Sequence, residues 1–143
     1  MSRMTPLFLT VSLFTVAASA CAAKPLTSQS TLINALNEGS EVSVSIDLSQ
    51  CTPQNGAVPS QTRGGLRIQA YRLTGDNTLS FSDEHFTVAN DGKPIQQFMR
   101  YQVLPDNIVN FTTYMYDLPS LQQRGTALSY RCNVGQGVSF FAK

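Results

Sequence analysis

The clearest pattern in the chain begins at residue 42. Val42, Val44, Ile46 and Leu48 alternate with Ser43, Ser45, Asp47 and Ser49, the period of two that marks a strand with one buried face. Just upstream the period is helical. Leu32, Ile33 and Leu36 fall on one side of a segment running from about Thr31 to Glu38, with Ser28 or Ser30 placed to cap it and Gly39 to end it. So short a helix needs packing to persist, and the sheet that follows is its natural host.

Further strands are expected along the rest of the chain. Thr52 to Gly65 reads as a loop, rich in proline, glycine and polar residues. Leu66 to Thr74 reads as the second strand, and Gly75-Asp76-Asn77 turns the chain into Thr78 to Ser82. A turn is expected at Asp83-Glu84-His85, before a strand at Phe86 to Ala89. Asn90-Asp91-Gly92 marks a hairpin, because these residues tolerate positive φ. It leads into Pro94 to Val103, with the proline at the strand's first position, where a missing donor does no harm. Leu104-Pro105-Asp106-Asn107 turns into Ile108 to Tyr116. A polar loop from Pro119 to Gly125 precedes Ala127 to Val134, and Gly135-Gln136-Gly137 links that strand to Val138 to Phe141. About seven or eight strands joined by short turns give a mainly β fold, a single antiparallel β-sandwich or small barrel with one short N-terminal helix.

The N-terminus speaks to location. Arg3, an apolar run from Leu7 to Ala18 and the small residues Ala18-Ser19-Ala20 form a secretory signal, too short for a bilayer span of about 20 residues. The expected division is a signal peptide over residues 1–23 and a single β-rich domain over 24–143, in a periplasmic or secreted protein. Two fates remain open at Cys21. Signal peptidase acting at Ala20-Cys21-Ala22 discards the cysteine. A degenerate lipobox at Ala18-Ser19-Ala20-Cys21 instead leaves it lipidated, and only then is a membrane a partner. Ala18 in place of the usual leucine, and the even cysteine count left after cleavage, favour the first. Cys51 and Cys132 then form one disulfide in an oxidising compartment. A loop of about 80 residues closed in this way contributes on the order of 4 kcal/mol.

Charge narrows the partners. Of ten basic residues Arg3 alone lies in the signal, leaving nine against nine acidic ones, a formal charge of zero. With no basic stripe, nucleic acid is not expected as a partner. Nor does a basic amphipathic helix point to a membrane surface. One histidine and scattered carboxylates offer no metal site. Gly64-Gly65 precedes a strand and lacks the phosphate-loop pattern, so no cofactor is expected.

Two groups of residues remain as candidates. Asp83-Glu84-His85 is the one cluster fit for proton chemistry, but it has no second histidine and no nucleophile in a recognisable motif. The aromatic strands offer more. Phe98 and Arg100 share a face, and so do Tyr114 and Tyr116; whichever face does not fill the core presents those tyrosines as a candidate binding face. The expected partner is an envelope or host protein, or a small ligand. A small-ligand carrier is a further reading, recognisable by inward polar residues such as Gln69 or Thr113 around a cavity. A hydrolase of envelope or host polymers, using His85 beside Asp83 or Glu84, is another.

Several motifs together resemble the VirK family. They are L-x-x-A-L-N-x-G at Leu32 to Gly39, I-D-L-S-x-C-T at Ile46 to Thr52, G-G-L-x-I-x-A-Y at Gly64 to Tyr71, F-S-D-E-H-F-T at Phe81 to Thr87, and G-K-P-I at Gly92 to Ile95, with the closing Cys132. The resemblance implies a small exported bacterial protein linked to virulence or host interaction in plant-associated bacteria. It brings no catalytic residues with it.

Overall fold

The computed structural model describes residues 22–143. Residues 1–21, which hold most of the expected signal peptide and, with Cys21, the question of lipidation, lie outside the described residues. In chain order the elements are β1 (Lys24–Leu26), helix α1 (Gln29–Asn37), β2 (Val42–Asp47), a short 3-10 turn (Leu48–Gln50), β3 (Thr52–Gln54), β4 (Arg63–Arg67), β5 (Arg72–Leu73), β6 (Leu79–Val88), β7 (Pro94–Val103), β8 (Ile108–Asp117), β9 (Gln122–Gln123), β10 (Leu128–Val134) and β11 (Gly137–Ala142). All strands join one sheet in the order β4-β2-β11-β10-β8-β7-β6-β5, with β1 on β11, β3 on β10 and β9 on β8. The pairing is antiparallel except between β10 and β11, which run parallel over Asn133↔Gly137 and Val134↔Val138.

Connectivity curls this sheet. Strands β4 and β5 lie at opposite ends of the order, yet only Ile68 to Tyr71 join them. An extended link from Arg67 to Arg72 spans at most about 18 Å, whereas eight flat strands would cover about 33 Å. The two ends must therefore approach, and the sheet forms a half-barrel around its core. This is the mainly β fold with one short helix that the strand pattern predicts.

The odd-numbered face of β6, β7 and β8 and the even-numbered face of β10 fill the interior. Phe81, Tyr101, Phe111 and Tyr130 stand opposite one another across β6, β7, β8 and β10. Their ring centroids are 4.8, 5.0 and 6.4 Å apart in succession, so aromatic packing runs through four strands. Phe140, Val42, Val138 and Leu79 complete the filling. Helix α1 adds Leu32, Ala35 and Leu36. Its start is fixed by Ser28, whose hydroxyl accepts from the Thr31 N–H while the Thr31 hydroxyl accepts from the Ser28 N–H. Buried Gln29 then fastens the helix to the ends of the hairpins. Its backbone N–H donates to Asn107 Oδ1 at 2.8 Å, and its Nε2 donates to the Val103 carbonyl at 2.9 Å and to that of Asn77.

Near the β10–β11 junction, the Cys51 and Cys132 sulfurs stand 2.08 Å apart, at disulfide distance. Gly137 is required there: its φ is +86°, and a Cβ would lie 2.5 Å from Cys51 Sγ.

Several expected boundaries are corrected. Asp83-Glu84-His85 is no turn; it sits in the middle of the ten-residue β6. Charged side chains do not break a strand whose backbone pairs with β7 along its whole length. The single strand expected over Leu66 to Thr74 is two, β4 and β5, separated by residues that cross from one end of the sheet to the other. Alternation continues through Ile68, which is buried, and so hides the break. The expected Thr52 to Gly65 loop contains β3 and the first residues of β4, because partners distant in sequence, β10 and β2, supply their ladders. Likewise β1 forms ahead of the helix, paired with β11, and β9 forms within the expected Pro119 to Gly125 loop, paired with β8. The helix runs Gln29–Asn37, not Thr31 to Glu38, and Ser28 is its cap. Gln69 is exposed, whereas Thr113 is partly buried on the inner face opposite Met99, and the interior is filled by the buried side chains named above.

Candidate functional site: an aromatic and basic groove

The face opposite the core carries the candidate site. In the β7–β8 register Phe98 stands opposite Tyr114 and Gln96 opposite Tyr116, and all four project away from the aromatic row of the interior. Both tyrosines are half-buried. They line an open groove of about 600 Å³ together with Phe98 and Arg100 from β7, Arg72 from β5, and Tyr71 and Ala70 from the link before it. Ser80, Ser82 and Thr74 add hydroxyls. The volume is within the range of small-ligand and peptide-side-chain sites, about 300–1,000 Å³.

Two features give the groove its character. First, aromatic rings form its apolar surface: the Phe98 and Tyr114 centroids are 6.2 Å apart at a 48° tilt. Tyr71 forms a wall, held in place by its hydroxyl, which donates to Asn37 Oδ1 at the end of α1 at 2.8 Å. Second, the lining holds two arginines and no carboxylate. Arg63, Arg67 and Arg124 are each paired with an acidic side chain. Among the described residues, Arg72 and Arg100 have no carboxylate within ion-pairing distance. A groove of this composition can hold a flat or extended apolar body beside a negative charge, since a guanidinium donates two parallel hydrogen bonds to a carboxylate.

A second cavity, of about 460 Å³, lies beside the cysteine pair and is lined by Ser45, Asp47, Gln50, Arg63, Ser139 and glycines. Its charges satisfy one another. Arg63 Nε lies 2.8 Å from Asp47 Oδ2, and Ser49 also donates to Asp47. The Ser49 hydrogen bonds, with a smaller contribution from Arg63, hold the Asp47 carboxyl below its usual range. This cavity therefore offers an incoming ion less than the first.

The sequence-derived candidates are distributed unevenly. Tyr114 and Tyr116 come together in the groove. Phe98 and Arg100 join them from the face they were expected to share, although they were not named as site residues. Tyr71 and Arg72 were missed, because a continuous strand over Leu66 to Thr74 placed them as ordinary sheet residues. Asp83 and His85, two apart on one strand, share a face, with His85 Nε2 3.1 Å from Asp83 Oδ2. Their cross-strand neighbours are Met99 and Gln97, which supply no nucleophile. Glu84 points the other way and accepts from Gln96 Nε2 at 2.7 Å. Among the described residues, no group of three or more His, Cys, Asp or Glu side chains is placed to hold a metal ion, and no helix is long and apolar enough to cross a membrane.

Comparison with known proteins finds relatives along most of the chain. The family model for the VirK protein matches residues 25–121, a span that includes the whole groove. An uncharacterized protein of Sinorhizobium fredii, y4wH, is 45% identical over 132 residues, covering 91% of this chain and 91% of that one. An uncharacterized protein encoded in the pinF2 3' region of Rhizobium radiobacter is 47% identical over 109 residues, 76% of this chain and 75% of that one. The crystal structure of a VirK family protein from Legionella pneumophila has the same fold. Its TM-score is 0.74 at 22% identity, covering 83% of this chain and 99% of that one.

Proposed function

The chain belongs to the VirK family, and we propose that it acts outside the cytoplasm as a virulence-associated, non-enzymatic binding protein that seats its partner in the Tyr114–Tyr116 groove. One observation carries the reading: the groove gathers three tyrosines, two phenylalanines and two arginines free of ion pairs from four separate segments of the chain. Tyrosine and arginine are the residue types that concentrate binding energy at interfaces. The signal at the N-terminus, and a cysteine pair at disulfide distance, support an extracytoplasmic place of work. The association with virulence rests on the family name. The absence of catalysis is supported by the surroundings of His85, the single histidine in the chain.

A pull-down from envelope extract tests this reading. The wild-type protein is expected to retain a partner that a Tyr114→Ala/Tyr116→Ala variant loses, with the same circular dichroism spectrum for both. Failure of the wild type to retain any partner would count against it. The Asp83–His85 contact favours one other reading, hydrolysis of an envelope or host polymer. That reading requires a polymer-cleaving activity that His85→Ala abolishes.

A further inference from the structure

Strand β6 has neighbours of unequal length. On one side β7 pairs with it from Leu79 to Val88. On the other, β5 reaches only Leu79 and Ser80, because the preceding residues depart toward β4. The direction of the free backbone groups follows from the hairpins. The Ala89 N–H donates to the Lys93 carbonyl on the β7 side, and the Thr78 carbonyl accepts from the Thr74 N–H on the β5 side. Since successive residues of an antiparallel strand face alternate edges, Ser82, Glu84, Phe86 and Val88 direct their N–H and C=O groups outward. All four are exposed.

An open edge of this kind is a template for another strand. This one is also apolar at its far end, where Phe86 is 66% and Val88 62% exposed. Its near end opens into the groove. There Ala70 and Tyr71, which leave the β5 ladder at this level, line the groove beside Phe81 and Ser82 and close the slot. Arg100 stands opposite Ser82 and Arg72 opposite Ser80, so both guanidinium groups belong to the closed end. A strand lying antiparallel to β6 would run from the level of Val88 to that of Ser82. Its C-terminus would then arrive at the two arginines.

We infer that the β6 edge and the groove together bind the extended C-terminal tail of a partner protein, added to β6 as an antiparallel strand with its terminal carboxylate at Arg72 and Arg100. The inference rests on the groove being the binding site and adds the class of partner. About 20 Å of free edge accommodates roughly six residues. Main-chain hydrogen bonds to Ser82, Glu84, Phe86 and Val88 supply affinity, and side chains on the face of Phe86 and Val88 are expected to be apolar. The arginines select a free carboxylate over a neutral end.

The test selects random heptapeptides with free C-termini, displayed at the end of a carrier protein, against the full exported protein, and then measures synthetic peptides by fluorescence anisotropy. Amidating the C-terminus, or the change Arg72→Ala/Arg100→Ala, is expected to weaken binding at least tenfold. Phe86→Pro is expected to do the same, and to weaken it more than Phe86→Ala, because proline removes an outward donor without touching the ladder to β7. In the wild-type complex the amides of Glu84, Phe86 and Val88 gain protection from hydrogen exchange, a readout independent of whether Phe86→Pro folds. Peptides indifferent to amidation and to Phe86→Pro, but lost in Tyr114→Ala/Tyr116→Ala, overturn strand addition and leave the groove reading standing. So does a selection that yields no peptide while the groove still captures an envelope partner. Binding that survives both the groove and the edge variants overturns both. A concentration-dependent dimer that protects the same amides assigns the edge to a second copy of the chain and overturns the tail.

Discussion

Gly137 shows how a single residue can bind two parts of the architecture together. It begins β11 at φ +86°, and an added Cβ would meet Cys51 Sγ at 2.5 Å and Cys132 Cβ at 3.2 Å. Gly137→Ala is therefore expected to destabilise the fold by about 2 kcal/mol or more, from strain at positive φ and from crowding of the cysteine pair; urea denaturation measures it. Tyr101 makes a different prediction. Burial, and to a smaller extent the nearby Asp83 carboxylate, push its hydroxyl from 10.0 up to about 12. Between these values the unfolded phenol ionises while the folded one keeps its proton. The contribution is thus complete below pH 10 and lost as the pH rises toward 12, at about 1.4 kcal/mol per pH unit. Tyr101→Phe should flatten that alkaline decline in denaturation midpoints taken from pH 9 to 12.

At the scale of elements, the long β6–β7 hairpin extends beyond the core, and its tip is tied down by charge. Arg124 bonds Asp91 at the hairpin tip and, at 3.3 Å, Asp117 at the end of β8. Its hydrogen bond holds the Asp91 carboxyl below the usual 3.8. A depressed carboxylate stabilises the folded tip above its unfolded pKa, and the effect is lost as the pH falls through the lower folded value. Nitrogen-15 relaxation should accordingly find Ala89 to Lys93 more mobile at pH 2.5 than at pH 6, and equally mobile at both in Asp91→Asn. The hairpin itself was legible in the sequence, since Asn90-Asp91-Gly92 needs a left-handed residue and Gly92 supplies it at φ +81°. The continuity of β6 through Asp83 to His85 was not legible. Local polarity resembles a turn there, and only pairing with β7 says otherwise.

For the molecule as a whole, the cysteine pair joins the end of the first long strand to the penultimate one across 81 residues. Reduction, or Cys51→Ser/Cys132→Ser, is expected to lower stability by about 4 kcal/mol, read as a lower melting temperature. The larger constraint is topological. Because β4 and β5 are separated by four residues in the chain but stand at opposite ends of an eight-strand order, the sheet cannot lie flat. Its curl lets the link carry Tyr71 into the groove wall, where Asn37 of α1 holds it.

Local physics was readable along the chain. Period-two alternation marked β2, β7 and β8, and the hairpin turns followed from residues that tolerate positive φ. Parity along β8 also put Tyr114 and Tyr116 on one face before any partner strand was known. These properties depend on near neighbours, and so the sequence by itself determined a mainly β chain with one helix and a tyrosine face. What lay opposite that face depended on contacts between residues far apart in the chain. The split of Leu66 to Thr74, the arrival of Tyr71 and Arg72 beside Phe98 and Arg100, and the free edge of β6 were decided by tertiary structure alone. Strand partners are chosen by the packing of the whole core, and no periodicity records which strand ends up beside which.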